Sequence, residues 1–347
     1  MAYSDVASRL NYTVRIFPAQ TDKHMRFFLF FLGWGCWTQV AAQKMIPAAE
    51  WCAAGKRALA AANSDAAFSD TRSDSVDILF TDIQLDITDF NGQTIAGSAG
   101  IEFSARVDGV SELHLDLLNM QVDSISSGTV SQWSYDGERI FVKYHTILNA
   151  GQTGNFRIYY RGKPVQDASG WGGFYWQNGY AYNLGVGFAA DPHNFGRAWF
   201  PCFDNFVERS AFRFDITTPA GRPSYCNGTL AAEENLPGNT LRRVWAIEDP
   251  IPSYLACVAV GPFASFKREY PGEAGPVKVD IAVAPADSAK LRNSFVHLPD
   301  ALAAFEYWYG PFRWDKIGYS IVPFNSGAME HATNIAYMRA AVDGTTG

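Results

Sequence analysis

The chain has 347 residues, more than one hydrophobic core usually organises, and this length predicts two domains. Hydrophobic residues make up 48% of the chain and charged residues 18%, which excludes intrinsic disorder for most of it. The formal net charge is -7, and no run of Lys and Arg is longer than a pair such as Arg242-Arg243. We therefore exclude nucleic acid as a partner.

The N-terminal region has the layout of an export signal. Arg26 is followed by the apolar stretch 27–37 and then by small residues at 40–42, which predicts a signal peptide over residues 25–42. The apolar stretch is too short to cross a hydrocarbon layer of about 30 Å, so we expect no transmembrane span; a buried core helix is the alternative. Residues 1–24 lack this layout, and we expect them to be a misread upstream segment. The protein is then exported to the periplasm, the cell surface or the medium.

The cysteines of the expected mature chain do not form a recognisable framework. Cys52, Cys202, Cys226 and Cys257 are widely spaced, and no Cys-x-x-Cys pair occurs. Export would allow some of them to pair, but the spacing indicates neither a disulfide-rich scaffold nor a zinc site built from cysteine.

The first predicted domain, over residues 76–270, consists of strands. It follows an Ala-rich helix and a polar linker at 43–75. From Val76 onward apolar and polar residues alternate, as in strands with one buried face. Dipeptides that tolerate positive φ separate the strands and predict hairpin turns. They are Asn91-Gly92, Asp108-Gly109, Asp136-Gly137 and Asn227-Gly228. The pattern predicts a mainly β fold, an antiparallel β sandwich or saddle.

A second domain of α+β type is predicted to begin at residue 276. Strand patterns at 277–284 and 317–322 flank a helical pattern at 287–297 and a helix that Pro299 opens. In that helix Leu302, Phe305 and Tyr309 lie on one face.

The common catalytic templates are absent from the sequence. No two histidines have the i, i+4 spacing by which a helix presents imidazoles to zinc. There is no Gly-x-Ser-x-Gly elbow, no phosphate-binding Gly-x-x-x-x-Gly-Lys-Ser/Thr loop and no dinucleotide loop. We therefore expect neither a catalytic residue nor a metal ligand in this chain.

Two segments nevertheless point to one chemistry. The segment Arg197–Pro219 contains Pro-Cys-Phe-Asp-Asn-Phe, and the segment Asn325–Tyr337 contains Gly-Ala-Met-Glu-His. Together they resemble the zinc aminopeptidases of the aminopeptidase N type, in the gluzincin family, whose patterns are Pro-Cys-Phe-Asp-Glu-Pro and Gly-Ala/Gly-Met-Glu-Asn. The stretches Pro250–Phe263 and Tyr307–Phe312 resemble the end of that family's first domain and its aromatic-Gly segment. The similarity runs in order from Val76 to Met338.

The resemblance implies a peptidase that recognises a free N-terminus. It assigns the α-amine of a peptide substrate to Glu330 and the substrate main chain to Gly327, Ala328 and Met329. A carboxylate suits this task because the α-amine, with a pKa of about 7.7 to 8.0, is largely cationic at neutral pH. His331 replaces the family's Asn; we give it no catalytic role, but an ordinary imidazole would change the charge of the pocket below about pH 6.5.

The resemblance also implies a thermolysin-like catalytic domain that this chain only begins. In the family a His-Glu-x-x-His helix and a later Glu bind zinc, and they follow the Gly-Ala-Met-Glu motif by some tens of residues. Only residues 332–347 follow His331 here, so we expect an inactive N-terminal fragment of an exported aminopeptidase, poorly soluble by itself. Zinc would belong to the complete enzyme.

Two other functions remain open. One is a catalytically dead aminopeptidase homologue. The other is a secreted β-sandwich that binds carbohydrate or peptide. Its platform would be aromatic: Trp171, Phe174, Tyr175, Trp176, Tyr180 and Tyr182. We expect the Asp204 carboxylate of the first segment to be structural, since that segment has the composition of a packing and turn element.

Overall fold

The computed structural model describes residues 70–324 and 327–346, which all belong to one compact unit. The predicted upstream segment 1–24, the signal peptide 25–42 and the helix and linker as far as residue 69 lie outside the described residues. Asn325 and Ser326 of the second segment also lie outside them.

Most of the described chain forms strands. The helices are α1 Arg72–Ser75, α2 Leu291–Ser294 and α3 Leu298–Tyr309, and 3₁₀ turns lie at Gly196–Ala198, Ser253–Leu255, Pro285–Lys290 and Arg339–Ala341. The strands are β1 Val76–Asp86, β2 Ile95–Ala105, β3 Val110–Asp116, β4 Gln121–Ser126, β5 Val130–Tyr135, β6 Arg139–Leu148, β7 Thr153–Gly162, β8 Gly172–Gln177, β9 Tyr180–Gly187, β10 Ser210–Pro219, β11 Ser224–Cys226, β12 Thr229–Leu236, β13 Thr240–Ile251, β14 Val258–Val260, β15 Ala264–Gly272, β16 Gly275–Val283, β17 Lys316–Val322, β18 Ala328–Met329 and β19 Ile335–Met338.

The largest sheet has seven strands in the order β12-β13-β10-β1-β2-β7-β4. All its pairings are antiparallel except β1 with β10. Its inner face supplies core residues such as Ile83, Phe103 and Phe214, each fully buried. The outer face carries charge pairs instead, for example Asp82 between the guanidinium groups of Arg157 and Arg213. This separation explains the alternation seen in the sequence.

Two smaller sheets complete the first region, with orders β3-β6-β5 and β11-β14-β9-β8. Their buried side chains join those of the seven-stranded sheet in one hydrophobic core. The mainly β fold class predicted from the sequence is confirmed.

The hairpin turns were predicted correctly at two of four sites. Asn91-Gly92 lies between the paired strands β1 and β2, and Asp136-Gly137 lies between β5 and β6. The prediction is wrong for Asp108-Gly109 and Asn227-Gly228, because β2 and β3, like β11 and β12, belong to different sheets. Both glycines have positive φ, +90° at Gly109 and +73° at Gly228, a conformation that glycine adopts without steric cost.

The second region is built on a five-stranded sheet with the order β15-β16-β17-β19-β18. One face packs on α2 and contributes a second hydrophobic cluster with Val279, Ile281 and Leu291. The other face contributes Ala282 and Val322 to the main core, so the two regions share that core. Sheet pairing already changes at Ala264, where β15 begins its hairpin with β16, although the domain boundary had been expected near residue 270.

The helices of the second region differ from expectation in detail. The helical pattern at 287–297 forms a 3₁₀ turn followed by the single α-helical turn α2. Helix α3 has Pro at its first turn, as predicted, and buries Leu302. Phe305 and Tyr309, predicted on the same face as Leu302, are 65% and 82% exposed. Leu298, at the start of the helix, packs against the second hydrophobic cluster.

Candidate functional site

The Gly-Ala-Met-Glu segment lies at one edge of the five-stranded sheet. Ala328 and Met329 form β18, which pairs with Tyr337 and Ala336 of β19 and ends the strand order. Gly327 precedes the strand with φ +85°, a conformation that disfavours L side chains. The backbone at position 327 therefore favours glycine over any other residue.

Glu330 follows this short strand and is exposed, whereas Met329 before it is buried. Within residues 70–324 and 327–346, the Glu330 carboxylate has no hydrogen bond and no ion pair. An exposed carboxylate with this freedom can accept hydrogen bonds from a cationic group that arrives from solvent.

His331 turns the chain back into the protein. Its N–H donates to the carbonyl of Met329 (2.9 Å), and its own carbonyl accepts the N–H of Asn334 (3.2 Å). The imidazole is 1% exposed, and its Nε2 accepts the backbone N–H of Gly185 (3.2 Å). Nδ1 therefore carries the proton of the neutral ring.

Burial lowers the pKa of His331 to about 3. The interpretation that an ordinary imidazole at this position would charge the pocket below about pH 6.5 is therefore wrong. The ring is therefore neutral at neutral and mildly acidic pH.

Asn227 and Gly228 of the first region form hydrogen bonds with the same turn. The Asn227 Nδ2 donates to the carbonyls of Ala332 (2.6 Å) and Leu255 (2.8 Å), and its Oδ1 accepts the N–H of Cys257 (2.6 Å). The N–H of Gly228 donates to the Thr333 hydroxyl (2.6 Å). The hydrogen bonds to Ala332, Thr333 and Cys257 are buried, so breaking them would leave polar groups without water or another partner.

Asn334 closes the turn with further hydrogen bonds across the two regions. Its Oδ1 accepts the Ser320 hydroxyl (3.0 Å), and its Nδ2 donates to the carbonyl of Tyr225 (3.3 Å) and contacts the Cys257 Sγ (3.4 Å). Sequence analysis missed this anchor. The only available signal was the Asn227-Gly228 dipeptide, and it was interpreted as a hairpin turn.

Aromatic side chains of the first region lie beside the segment. Trp171 stacks on Phe188 with ring centroids 4.5 Å apart, and a Cβ placed on Gly327 would lie 3.8 Å from the Trp171 ring. Phe324, on the strand side of the segment, is 6.3 Å from Trp171. The segment is thus bordered by an aromatic wall.

Most of the aromatic platform considered for a binding module is core. Four of its six members are buried: Phe174, Tyr175, Tyr180 and Tyr182. Tyr175 and Tyr182 stack on each other, and Tyr180 packs on Phe263. Buried rings cannot present a flat face to a sugar, so the structure disfavours this alternative.

The Pro-Cys-Phe-Asp segment is structural, as expected. The fully buried Asp204 carboxylate accepts hydrogen bonds from the Arg197 guanidinium (2.8 Å), the Ser253 hydroxyl (2.8 Å) and the N–H of Gly196 (3.1 Å). Burial raises the pKa of Asp204, and Arg197 opposes that rise. Every partner belongs to the first region, so Asp204 ties its loops together.

The described residues do not fit a zinc site. No group of three or more His, Cys, Asp or Glu side chains in this part of the chain is placed to hold a metal ion. Cys202, Cys226 and Cys257 are buried and unpaired, and burial raises the pKa of each thiol. In the same ranges, no helix is long and apolar enough to cross a membrane.

Residues 78–255 match the Peptidase M1 N-terminal domain. The chain belongs to the M1 peptidase family. This confirms the family inferred from the Arg197–Pro219 and Asn325–Tyr337 segments. Human glutamyl aminopeptidase is 27% identical over 148 residues, covering 41% of this chain and 15% of that protein. Mouse aminopeptidase B is 29% identical over 138 residues, covering 39% and 20%.

Solved M1 zinc metallopeptidase structures share the fold. The enzyme of Deinococcus radiodurans superposes with a TM-score of 0.68 at 21% identity, over 76% of this M1 chain and 61% of its own. A mutant of it bound to a Tyr-Ser-Ala substrate gives 0.68 at 22% identity, over 77% and 61%. This M1 chain therefore spans a fifth or less of the two curated relatives and about three fifths of the solved neighbours.

Proposed function

We propose that this chain supplies the N-terminal β domain and the amine-recognition segment of a zinc aminopeptidase, which removes N-terminal residues from peptides. The observation that carries the proposal is Glu330: an exposed carboxylate at the end of an edge strand, on a turn that buried hydrogen bonds hold. Family membership and the names of the relatives support the peptidase chemistry.

Glu330 would accept the hydrogen bonds of the substrate's α-ammonium. A peptide with a free N-terminus offers a cation at neutral pH, and a charge-assisted hydrogen bond favours it over a blocked terminus. Gly327, Ala328 and Met329 would contact the substrate main chain, because an edge strand can add an extended peptide as a further strand. The aromatic wall at Trp171 would border the first side chain.

In the complete enzyme zinc would activate a water molecule and polarise the scissile carbonyl. The described residues of this chain offer no site for it, so their part is to bind and orient the substrate. We propose that the 347-residue chain alone releases no product from aminoacyl anilides. Zinc-dependent release by this chain would contradict that statement.

The proposal is tested in the complete gene product with Glu330→Gln. We expect kcat/KM for an aminoacyl anilide to fall by about tenfold to a hundredfold, the worth of a hydrogen bond to a charged group. Glu102→Gln is the matched control, since Glu102 is also exposed and lies on β2, away from the segment. Unchanged turnover in Glu330→Gln would refute the assignment.

A second measurement separates this proposal from a catalytically dead homologue. The nucleotide sequence beyond codon 347 either continues into a frame that encodes His-Glu-x-x-His or ends at an authentic stop codon. A continuing frame supports the enzyme, and a stop supports the dead homologue.

We also propose that the protein is exported through residues 25–42. Their basic, apolar and small-residue order supports this. N-terminal sequencing of the secreted or periplasmic protein should give a start at Gln43, whereas a mature protein that retains residues 25–42 would contradict export by this segment.

A further inference from the structure

A row of lysines lies on the face of the five-stranded sheet that points toward the first region. The register pairs Lys278 of β16 with Lys316 of β17 and with Glu269 of β15, and it pairs Lys267 with Asp280. Paired residues share a face, so these five side chains form one polar patch. Farther along β16 and β17 the same face enters the shared core.

Lys316 is the buried member of this patch. It is 4% exposed, its Nζ donates to the carbonyl of Cys226 (3.2 Å), and it lies 4.3 Å from the centroid of the Trp245 ring. No carboxylate of the described residues comes within ion-pair distance of it. Asp280, on the same face, accepts the Ser265 hydroxyl (2.8 Å) instead. A buried ammonium without a counterion is costly.

The environment of Lys316 reflects that cost. Burial lowers the pKa of Lys316 to about 8, while Asp280 opposes the change at longer range. An anion bound next to Lys316 would supply the counterion that the described residues do not provide, and it would stabilise the charged form of the ammonium.

An open cleft of about 670 Å³ leads to Lys316 between the two regions. Three lysines, Lys267, Lys278 and Lys316, share this face of the lining with the carboxylates of Glu269 and Asp280, whereas Arg268 pairs with Val279 on the opposite face. The exposed Lys267 and Lys278 have no ion pair with described residues. This concentration of positive charge occurs in a chain of net charge -7, so it is not a property of the surface as a whole.

The opposite wall of the cleft is apolar. Leu230 of β12 lines it and is 38% exposed, whereas Trp245 of β13 is 1% exposed and is covered by the Lys316 ammonium. A ligand that fits both walls has a negatively charged end and an apolar end. Inorganic phosphate fits only the basic wall.

We propose that this cleft binds a small carboxylate that carries an apolar group, with the carboxylate directed at Lys316 and Lys278 and the apolar group against Leu230. The proposal is independent of the peptidase activity, because the cleft shares no lining residue with the Gly327–Glu330 segment.

Calorimetric titration of the 347-residue chain tests the charge requirement. N-acetyl-leucine is the probe, N-acetyl-leucinamide is its neutral counterpart, and inorganic phosphate is the purely ionic competitor. We expect the carboxylate to bind at least about tenfold more tightly than the amide, as for loss of one charge-assisted contact. Equal binding of acid and amide, tighter binding of phosphate, or absence of acid binding would each overturn the proposal.

Three variants locate the site. Lys316→Met keeps the length and apolar stem of the side chain, and we expect it to weaken N-acetyl-leucine binding about tenfold or more. Lys278→Gln, at an exposed position that does not endanger folding, should weaken it several-fold. Lys163→Gln is the matched control, an exposed lysine outside the cleft, and should bind as the wild type does. If Lys278→Gln and Lys163→Gln bind alike, the cleft is not the site.

Discussion

His331 shows how burial changes the chemistry that its residue type suggests. The imidazole is enclosed beneath the exposed Glu330, and its one acceptor contact is the N–H of Gly185. From the sequence the Gly-Ala-Met-Glu segment could be located, because it is local. The neutral state of His331 could not be predicted, because Gly185 is 146 positions away along the chain and belongs to another sheet.

The depressed pKa of His331 makes stability depend on pH. The unfolded chain binds this proton near pH 6.5, whereas the folded protein binds it only near pH 3, so the unfolded state holds more protons between these values. The free energy of unfolding should therefore fall as the pH decreases below 6.5, by at most about 1.4 kcal/mol per pH unit from this group.

Urea unfolding of the wild type and of His331→Asn, at neutral pH and near pH 5, measures this contribution. Asn replaces the titrating ring with a neutral amide, so we expect a smaller loss of stability at the lower pH than in the wild type. Asp204 and Glu208, whose pKa values burial raises, titrate in both proteins and cancel in the comparison. Equal pH dependence in the two proteins would show that the His331 pKa is not depressed.

At the scale of elements, the sequence predicts strands better than their partners. Alternation depends on which face of a strand is buried, and it correctly marked β1, β2, β6 and β7. It carries no information on which strand lies alongside, so Asp108-Gly109 and Asn227-Gly228 were taken for hairpins. The second error concealed the anchor of the candidate site, since Asn227 and Gly228 cross between sheets and bind Ala332 and Thr333.

The two glycines of these crossovers allow a controlled test of that anchor. Both have positive φ, but a Cβ on Gly228 would lie 1.7 Å from the carbonyl oxygen of Ala246, whereas a Cβ on Gly109 would meet nothing within 4 Å. Gly109→Ala should cost about 1 to 2 kcal/mol of stability, the price of the left-handed conformation alone. Gly228→Ala should cost clearly more, because the backbone of the anchor must also move.

Denaturant unfolding gives both stabilities, and hydrogen exchange of the backbone amides reports on the anchor itself. In Gly228→Ala we expect faster amide exchange than in the wild type at Ala332–Asn334, which follow Glu330. In Gly109→Ala we expect the exchange rates of these amides to be unchanged. Similar destabilisation by both substitutions, with unchanged exchange after Glu330, would show that the crossover does not hold the turn.

At the scale of the whole molecule, helix α3 leaves several large aromatic side chains exposed. Phe305, Trp308 and Tyr309 are 65%, 75% and 82% exposed and lie on adjoining positions of one face. Phe305 and Tyr309 border a groove next to β17. The 3.6-residue period predicted the helix and its apolar face, but no pattern within the helix could state that Leu302 would be buried and Phe305 and Tyr309 exposed.

Such a patch favours self-association of the 347-residue chain, because the removal of aromatic surface from water lowers the free energy. Replacing Phe305, Trp308 and Tyr309 by Gln removes the aromatic rings and keeps a good helix former at each position. We expect sedimentation velocity to show oligomers that grow with concentration for the wild type and a monomer for the triple variant, with the same circular dichroism.

The double variant Ala303→Gln, Ala304→Gln adds polar side chains at exposed positions of the same helix but keeps all three rings, so it should still associate. A monomeric wild type, or a triple variant that associates as strongly as the wild type, would show that this face does not drive association.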